Sequence, residues 1–203
     1  MKTGAIERSS AGSPRLKEAA AVLAEAMVDD PIYAWVLPDR RERARWLPGV
    51  FGTLLEVIGS KAIIHAIGDP SLDGVLVMTP PRVHPLGVAR GLSFAVRSLW
   101  PSPGRPELRR LVRAGQALAR VDDAHPREPH FWLTIVGVRP SAQGRGLGRK
   151  LLERALDEAK GELLSLDTAE PRNVELYRRF GFELTRTVDP PHGAPRCYVM
   201  RAG

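Results

Sequence analysis

The stretch from Val136 to Lys150 reads Val-Gly-Val-Arg-Pro-Ser-Ala-Gln-Gly-Arg-Gly-Leu-Gly-Arg-Lys. Before it, His130 to Ile135 has the character of a strand, and from Leu147 onward the spacing is helical. A strand, a glycine-rich turn and a helix in that order direct a row of free backbone N–H groups at one point. The first turn of a helix has donors without internal partners, and the helix dipole adds about half a positive charge there. Gly144, Gly146 and Gly148 remove the side chains that would keep an anion away, while Arg145, Arg149 and Lys150 add full positive charge. The segment reads as a cradle for a phosphate or pyrophosphate. It is not Gly-x-Gly-x-x-Gly opening a βαβ unit, and no Gly-Lys-Ser/Thr follows, so it is neither the dinucleotide fingerprint nor a Walker A loop.

Working outward, Leu147, Leu151, Leu152, Ala155, Leu156 and Ala159 form the apolar stripe of the following helix, with Gly161 placed as its C-terminal cap. Leu163 to Thr168 reads as a strand, and Glu183 to Val188 with Arg196 to Arg201 as the last strand pair. On the N-terminal side, Gly4 to Arg8 suits a short strand and Pro14 to Val28 a helix that Asp29-Asp30-Pro31 ends. A helical region from Arg40 to Ile58 is expected to break at Pro48-Gly49. Lys61 to Ile67 and Gly74 to Thr79 read as an antiparallel hairpin, and Gly87 to Leu99 and Pro106 to Asp122 as two further helices. That order predicts one α/β domain over 1–203, a mixed sheet flanked by helices.

The chain has 203 residues, 43 % of them hydrophobic, enough for one sizeable core. Its single cysteine, Cys197, excludes a disulfide within a monomer and fits a reducing cytoplasm. No apolar run is long enough for a membrane helix, and Met1 to Arg8 lacks the apolar segment of a signal peptide. The net charge of +7 raises nucleic acid as a partner, but the basic residues are interspersed with acids and lack aromatic interleaving. A basic surface that draws in a polyanionic cofactor accounts for the charge, and neither nucleic acid nor membrane is expected as a partner. His65, His84, His125 and His192 show no metal-ligand spacing, so no metal is expected.

Gln143, Gly146 and Gly148 fit a Gln/Arg-x-x-Gly-x-Gly/Ala signature, and the turn resembles that of the GCN5-related N-acetyltransferases (GNAT). The run from Ala169 to Phe182 resembles the family's second hallmark, a short helix with Asn173 and Tyr177 that ends in Phe180-Gly181-Phe182. Pro171-Arg172-Asn173 ahead of Tyr177, with Arg127-Glu128-Pro129 before the coenzyme strand, most resembles puromycin N-acetyltransferase and related small-molecule acetyltransferases. The resemblance is specific from about Arg127 to the C-terminus. Over the first 125 residues it rests on length and the order of elements. It implies a sheet of six to seven mostly antiparallel strands, splayed between the fourth and fifth. About 1–125 would form the acceptor side and about 126–203 the acetyl-CoA core. Acetyl-CoA is the implied co-substrate, its pyrophosphate on Gln143, Gly144, Arg145, Gly146, Leu147, Gly148 and Arg149. Its pantetheine and carbonyl would lie on the backbone of Val136, Gly137 and Val138.

Acetyl transfer from a thioester needs a neutral amine, a stabilised carbonyl oxygen and a protonated leaving thiol. Tyr177 is the expected acid, since a phenol with pKa about 10 is protonated at neutral pH. Asn173, four residues earlier on the same face, either binds the cofactor or caps the helix. The base is harder to find, because many family members carry a glutamate on the coenzyme strand where this chain has Thr134. Asp167, Glu170, Glu128 and His130 remain, led by Asp167 and Glu170 at the open end of the fifth strand. Asp29 and Asp30 would hold a cationic acceptor, although helix termination explains them equally well. The expected function is direct acetyl transfer to a small amine such as an antibiotic or biosynthetic intermediate, by a monomer or homodimer. The alternatives are a protein or peptide acetyltransferase and a catalytically idle coenzyme A-binding module.

Overall fold

A computed structural model describes residues 7–8, 15–58, 61–83 and 108–203. Its elements are β1 (Glu7–Arg8), α1 (Arg15–Met27), α2 (Pro31–Val36), α3 (Arg40–Ile58), β2 (Ile63–Ile67), β3 (Gly74–Thr79) and α4 (Leu108–Asp122). β4 (Phe131–Val138), a 3₁₀ turn (Pro140–Ala142), α5 (Leu147–Ala159), β5 (Leu164–Thr168), α6 (Pro171–Arg178), β6 (Glu183–Val188) and β7 (Cys197–Ala202) follow. The strands form one sheet in the order β1-β2-β3-β4-β5-β7-β6. All neighbours are antiparallel except β4 and β5. The expected helix over Gly87 to Leu99 and His84 lie outside the described residues. No helix among the described residues is long and apolar enough to cross a membrane.

The sheet buries both faces. On one, Ile63, Leu76, Met78, Leu133, Leu164 and Leu166 pack with Leu151 and Leu152 of α5 and with Val174 and Tyr177 of α6. On the other, Ile64, Val75 and Val77 meet the apolar stripes of α1 and α3. Farther along that second face, Val121 and Ala124, at the end of α4, join Cys197 and Val199. Gly137 fixes how closely α1 approaches: a Cβ there would lie 2.8 Å from the Cβ of Ala26.

Three local expectations are corrected. α3 runs unbroken through Pro48, because Trp46, Leu47, Val50 and Phe51 are all buried and hold the helix on both sides of the missing N–H. The C-cap of α5 is Lys160 in the left-handed conformation, its N–H bonded to Leu156 O, one residue before Gly161. A six-residue helix, α2, follows the Asp29-Asp30-Pro31 stop that sequence spacing treats only as a terminus.

Buried Arg43 fixes the corner where α2 sits. Its guanidinium donates to the carbonyls of Val28 before α2 and of Leu37 and Pro38 after it. One rigid fork thus closes the loop on both sides of the helix. Arg43→Met would leave these acceptors unmatched and is expected to lower stability by about 3 kcal/mol in urea unfolding. Arg43→Lys should recover only part of that, because an ammonium cannot reach both ends of the loop.

Candidate active site

The parallel pairing of β4 with β5 lasts for two residues, Phe131 opposite Leu164 and Trp132 opposite Ser165. Beyond this point, among the described residues, β4 stays paired with β3 and β5 with β7. The two central strands therefore part, and among the described residues no strand pairs with the β5-facing backbone of the outer half of β4. A bulge sits at the same place: Val77 faces Ile135 and Met78 faces Leu133, so Thr134 is the extra residue.

The open half of β4 leads into the glycine turn. Arg139 donates to Leu72 O at 2.8 Å and to Glu25, and the Gln143 amide donates to Val138 O at 3.3 Å, which folds the turn back on the strand. Gly146 is the N-cap of α5 with φ +75°, a conformation other residues adopt only with strain, and no side chain caps the helix. A Cβ at Gly144 or Gly146 would meet nothing within 4 Å, so the space over these amides is open. Arg145 pairs with Asp73 at 3.3 Å and Arg149 with Glu153 at 2.7 Å, while Lys150 is exposed. Bare N–H groups, the dipole of a 13-residue helix and flanking cations make this a fitting anion site.

Around the mouth of the splay, the structure brings together some of the expected site residues and separates others. Asp167 lies two residues after Ser165 on β5, so both project from one face, the face that Trp132 shares through its pairing with Ser165. Asp30 arrives from the opposite direction as the N-cap of α2, accepting from Ile32 N at 2.9 Å. Burial raises its pKa, and the carboxylates of Asp167 and Glu170 raise it further. Tyr33, one helical turn on, has its hydroxyl pushed up by burial and by the charges of Asp30 and Asp167. Sequence spacing gave no signal for Tyr33, because α2 itself was not expected.

Tyr177 is buried under α6 beside Phe182, with ring centroids 5.7 Å apart. Burial drives its pKa up, and Asp167 and Asp30 add to the shift. The phenol is thus protonated at neutral pH. Cys197 is also buried, and its thiol is pushed up to about 12 by burial and by the same two carboxylates, so it is no nucleophile.

The remaining expected residues have other occupations. Asp29 is exposed and paired with Arg40 at 2.9 Å, which holds its carboxyl below the usual range. Glu170 is the N-cap of α6 and pairs with Arg172, which lowers its pKa. The Asn173 amide donates to Thr168 Oγ1 at 3.2 Å and so ties α6 to the end of β5. Glu128 is exposed, and its carbonyl lies 2.8 Å from His130 Nδ1.

His125, buried just beyond the end of α4, fills the wedge where β4 and β5 part. Its ring stacks on Trp132 with centroids 3.8 Å apart, and the His130 ring is parallel at 6.2 Å. Nδ1 lies 2.8 Å from Ser165 Oγ and Nε2 3.2 Å from Asp167 Oδ1. Spacing gave no sign of this group, because its partners are 40 and 42 residues away in the chain.

Residues 111–182 match the model of the Acetyltransferase (GNAT) family, from α4 to the start of β6. A 61-residue stretch is 44% identical to the N-alpha-acetyltransferase RimI of Mycobacterium tuberculosis, covering 28% of this chain and 39% of that protein. The chain thus spans about two fifths of the curated relative it matches. Among solved structures, the histone acetyltransferase HPA2 and related acetyltransferase from Corynebacterium glutamicum superposes with TM-score 0.68 at 22% identity, over 97% of this chain and 94% of that one. The polyamine N acetyltransferase of Drosophila melanogaster superposes with TM-score 0.60 at 17% identity, over 97% and 99%. The ribosomal-protein-S18-alanine N-acetyltransferase of Escherichia coli gives 0.53 at 15%, over 98% and 93%. The chain has the GNAT fold, and its segment from α4 to Phe182 carries the sequence pattern of that acetyltransferase family.

Proposed function

We propose that the protein is an acetyl-CoA-dependent N-acetyltransferase that passes the acetyl group directly to a small amine. The family match and the named relatives support an acyltransferase. The observation that carries the reading is the splay of β4 from β5, opening onto an uncapped, glycine-rich helix start. Backbone N–H groups of Val136 to Val138 suit a pantetheine arm and the thioester carbonyl, and the amides from Gly144 to Gly148 suit the pyrophosphate.

The amine side follows from electrostatics. Asp30, Asp167 and Glu170 raise one potential well for cations, and Glu170 is already neutralised by Arg172. Asp30 and Asp167 are left to draw in an ammonium group, and Asp167 leads as the group that receives its proton. Tyr177 comes from the other face of the sheet, where its hydroxyl can deliver a proton to the leaving sulfur. The acceptor is a small molecule in this reading, an antibiotic or biosynthetic intermediate, and the protein works in the cytoplasm. A peptide amine is the second reading, motivated by the stretch similar to the N-alpha-acetyltransferase RimI.

Thiol release from acetyl-CoA with a panel of spermidine, tryptamine, puromycin and an alanine-ended peptide tests both readings. Release with one of the small amines, and not with the peptide, is expected; release with none would remove the enzymatic reading. With the active amine, Tyr177→Phe should lower kcat by about 10²-fold while calorimetric coenzyme A affinity stays unchanged, because only the donor is lost. An unchanged kcat would make Tyr177 a packing residue.

Asp30→Asn separates binding from stability. Asp30 has a folded pKa above its unfolded value of about 3.9, so its favourable contribution is present below that value and lost as pH rises through the folded pKa. At neutral pH the ionised group therefore opposes folding. Asparagine keeps the helix cap without the charge. The variant should melt no lower than wild type at pH 7 while the acceptor KM rises much more than that of acetyl-CoA. A lower Tm with both KM values unchanged would count against an acceptor role.

A further inference from the structure

We propose that His125 is a positioning residue for proton transfer, joined to Asp167 so that the pair acts as one base toward the acceptor's ammonium group. The proposal rests on the reading of this site as the amine side of an acetyltransferase. Its physical ground is a count of hydrogens. Ser165 Oγ has one proton and two neighbours, Met200 O at 3.2 Å and His125 Nδ1 at 2.8 Å. If the hydroxyl donates to the carbonyl, which can only accept, Nδ1 must carry a proton and donate to Oγ. Nε2 faces Asp167 Oδ1 at 3.2 Å, and a carboxylate also only accepts. With Asp167 ionised, all three contacts are hydrogen bonds at once only when both ring nitrogens are protonated.

With a neutral ring, one contact fails. Either Ser165 turns its hydroxyl from Met200 O to Nδ1, or the Nε2 lone pair faces the carboxylate. The second arrangement is a proton sink, and a proton entering between Nε2 and Oδ1 completes the network without moving a heavy atom. Trp132 holds the ring in plane for it. His125 is buried, whereas the Asp167 side chain is 29% exposed, so protons enter and leave through the carboxylate. Among the described residues, the charged and titratable groups facing the pair are His130 just before β4, Asp30 and Tyr33 from α2, Tyr177 from α6 and Cys197 from β7, with Glu170 of the β5–α6 turn beside Asp30. Glu170 is held by Arg172, which leaves Asp30 as the neighbouring carboxylate of the pair.

The step balances. The ammonium nitrogen gives one proton to the pair and keeps the bonding electrons as the lone pair that attacks the thioester carbon. The C–S bond breaks with its electrons on sulfur, which takes the Tyr177 proton. The nitrogen, now bonded to the acetyl carbon, loses a second proton that restores Tyr177. The pair then releases its proton to water.

Two measurements test this. In protein labelled with ¹³C-histidine, the His125 resonance should titrate, and its midpoint should fall by about one pH unit or more in Asp167→Asn, as loss of an opposite charge at this distance dictates. This readout needs no activity. In kinetics with the active amine, His125→Gln places a non-titrating amide donor against Asp167. It should lower kcat/KM for the amine by about 10²-fold and move the acidic limb of its pH profile, with acetyl-CoA affinity unchanged. His125→Phe, which keeps the stack, should lose at least as much. A purely structural hydrogen bond would be rescued by glutamine. Wild-type rate and pH profile in His125→Gln, or a His125 midpoint indifferent to Asp167→Asn, would overturn the proposal. A coupled titration in a protein that releases no thiol with any amine would instead overturn the acetyltransferase reading beneath it.

Discussion

The parallel ladder between β4 and β5 stops after two residue pairs, and the site is a consequence of that stop. An unpaired strand edge in the middle of a sheet leaves backbone donors and acceptors exposed, which folded proteins rarely tolerate without a partner. Several features hold the strands apart. The Thr134 bulge turns β4 away from β5, and His125 fills the wedge on one face. On the other face Tyr177 and Val174 of α6 pack in one cluster with Leu164 and Leu166, and α6 is tied to the end of β5 by Asn173. The edge therefore stays open, with the start of α5 at its end, and it is this opening that the proposed cofactor site uses.

The proposed acceptor side depends on a different balance. Three carboxylates gather where α2, β5 and α6 converge, and burial, with the like charges adding to it, raises the pKa of Asp30. The arrangement opposes folding locally and persists because the corner is held elsewhere, chiefly by the Arg43 fork on three carbonyls. At the far end of α2 the charge reverses: Trp35 and Val36 line a groove with Arg109, Arg110 and Arg113 of α4. These three arginines are thus separated from Asp30 by the length of a short helix.

What could be read from sequence was local. The glycine turn, the helix after it and the hairpin of β2 and β3 are each specified within about twenty residues, and the structure has them where spacing places them, as it has the helix of Tyr177 that the family resemblance implies. Misreadings came where tertiary packing overrode a local signal. Pro48 reads as a break, yet α3 is pinned on both sides of it, and Asp30 reads as a stop signal while it also begins a six-residue helix. His125 could not be found at all. Nothing near it in sequence indicates that it will stack on Trp132 and reach Ser165 and Asp167 across a separation of 40 residues. Gly137 reads as part of the coenzyme strand, and the structure adds a second demand on it, the close approach of Ala26.

Backbone amide hydrogen exchange with and without coenzyme A tests the central claim most directly, because the account assigns the cofactor to main-chain groups. Protection is expected in two segments, Val136 to Val138 on the open half of β4 and Gly144 to Gly148 at the start of α5, with α3 and the hairpin of β2 and β3 unchanged. Saturating coenzyme A that protects neither segment, or protects amides elsewhere while these exchange as before, would contradict the assignment of the splay as the cofactor slot.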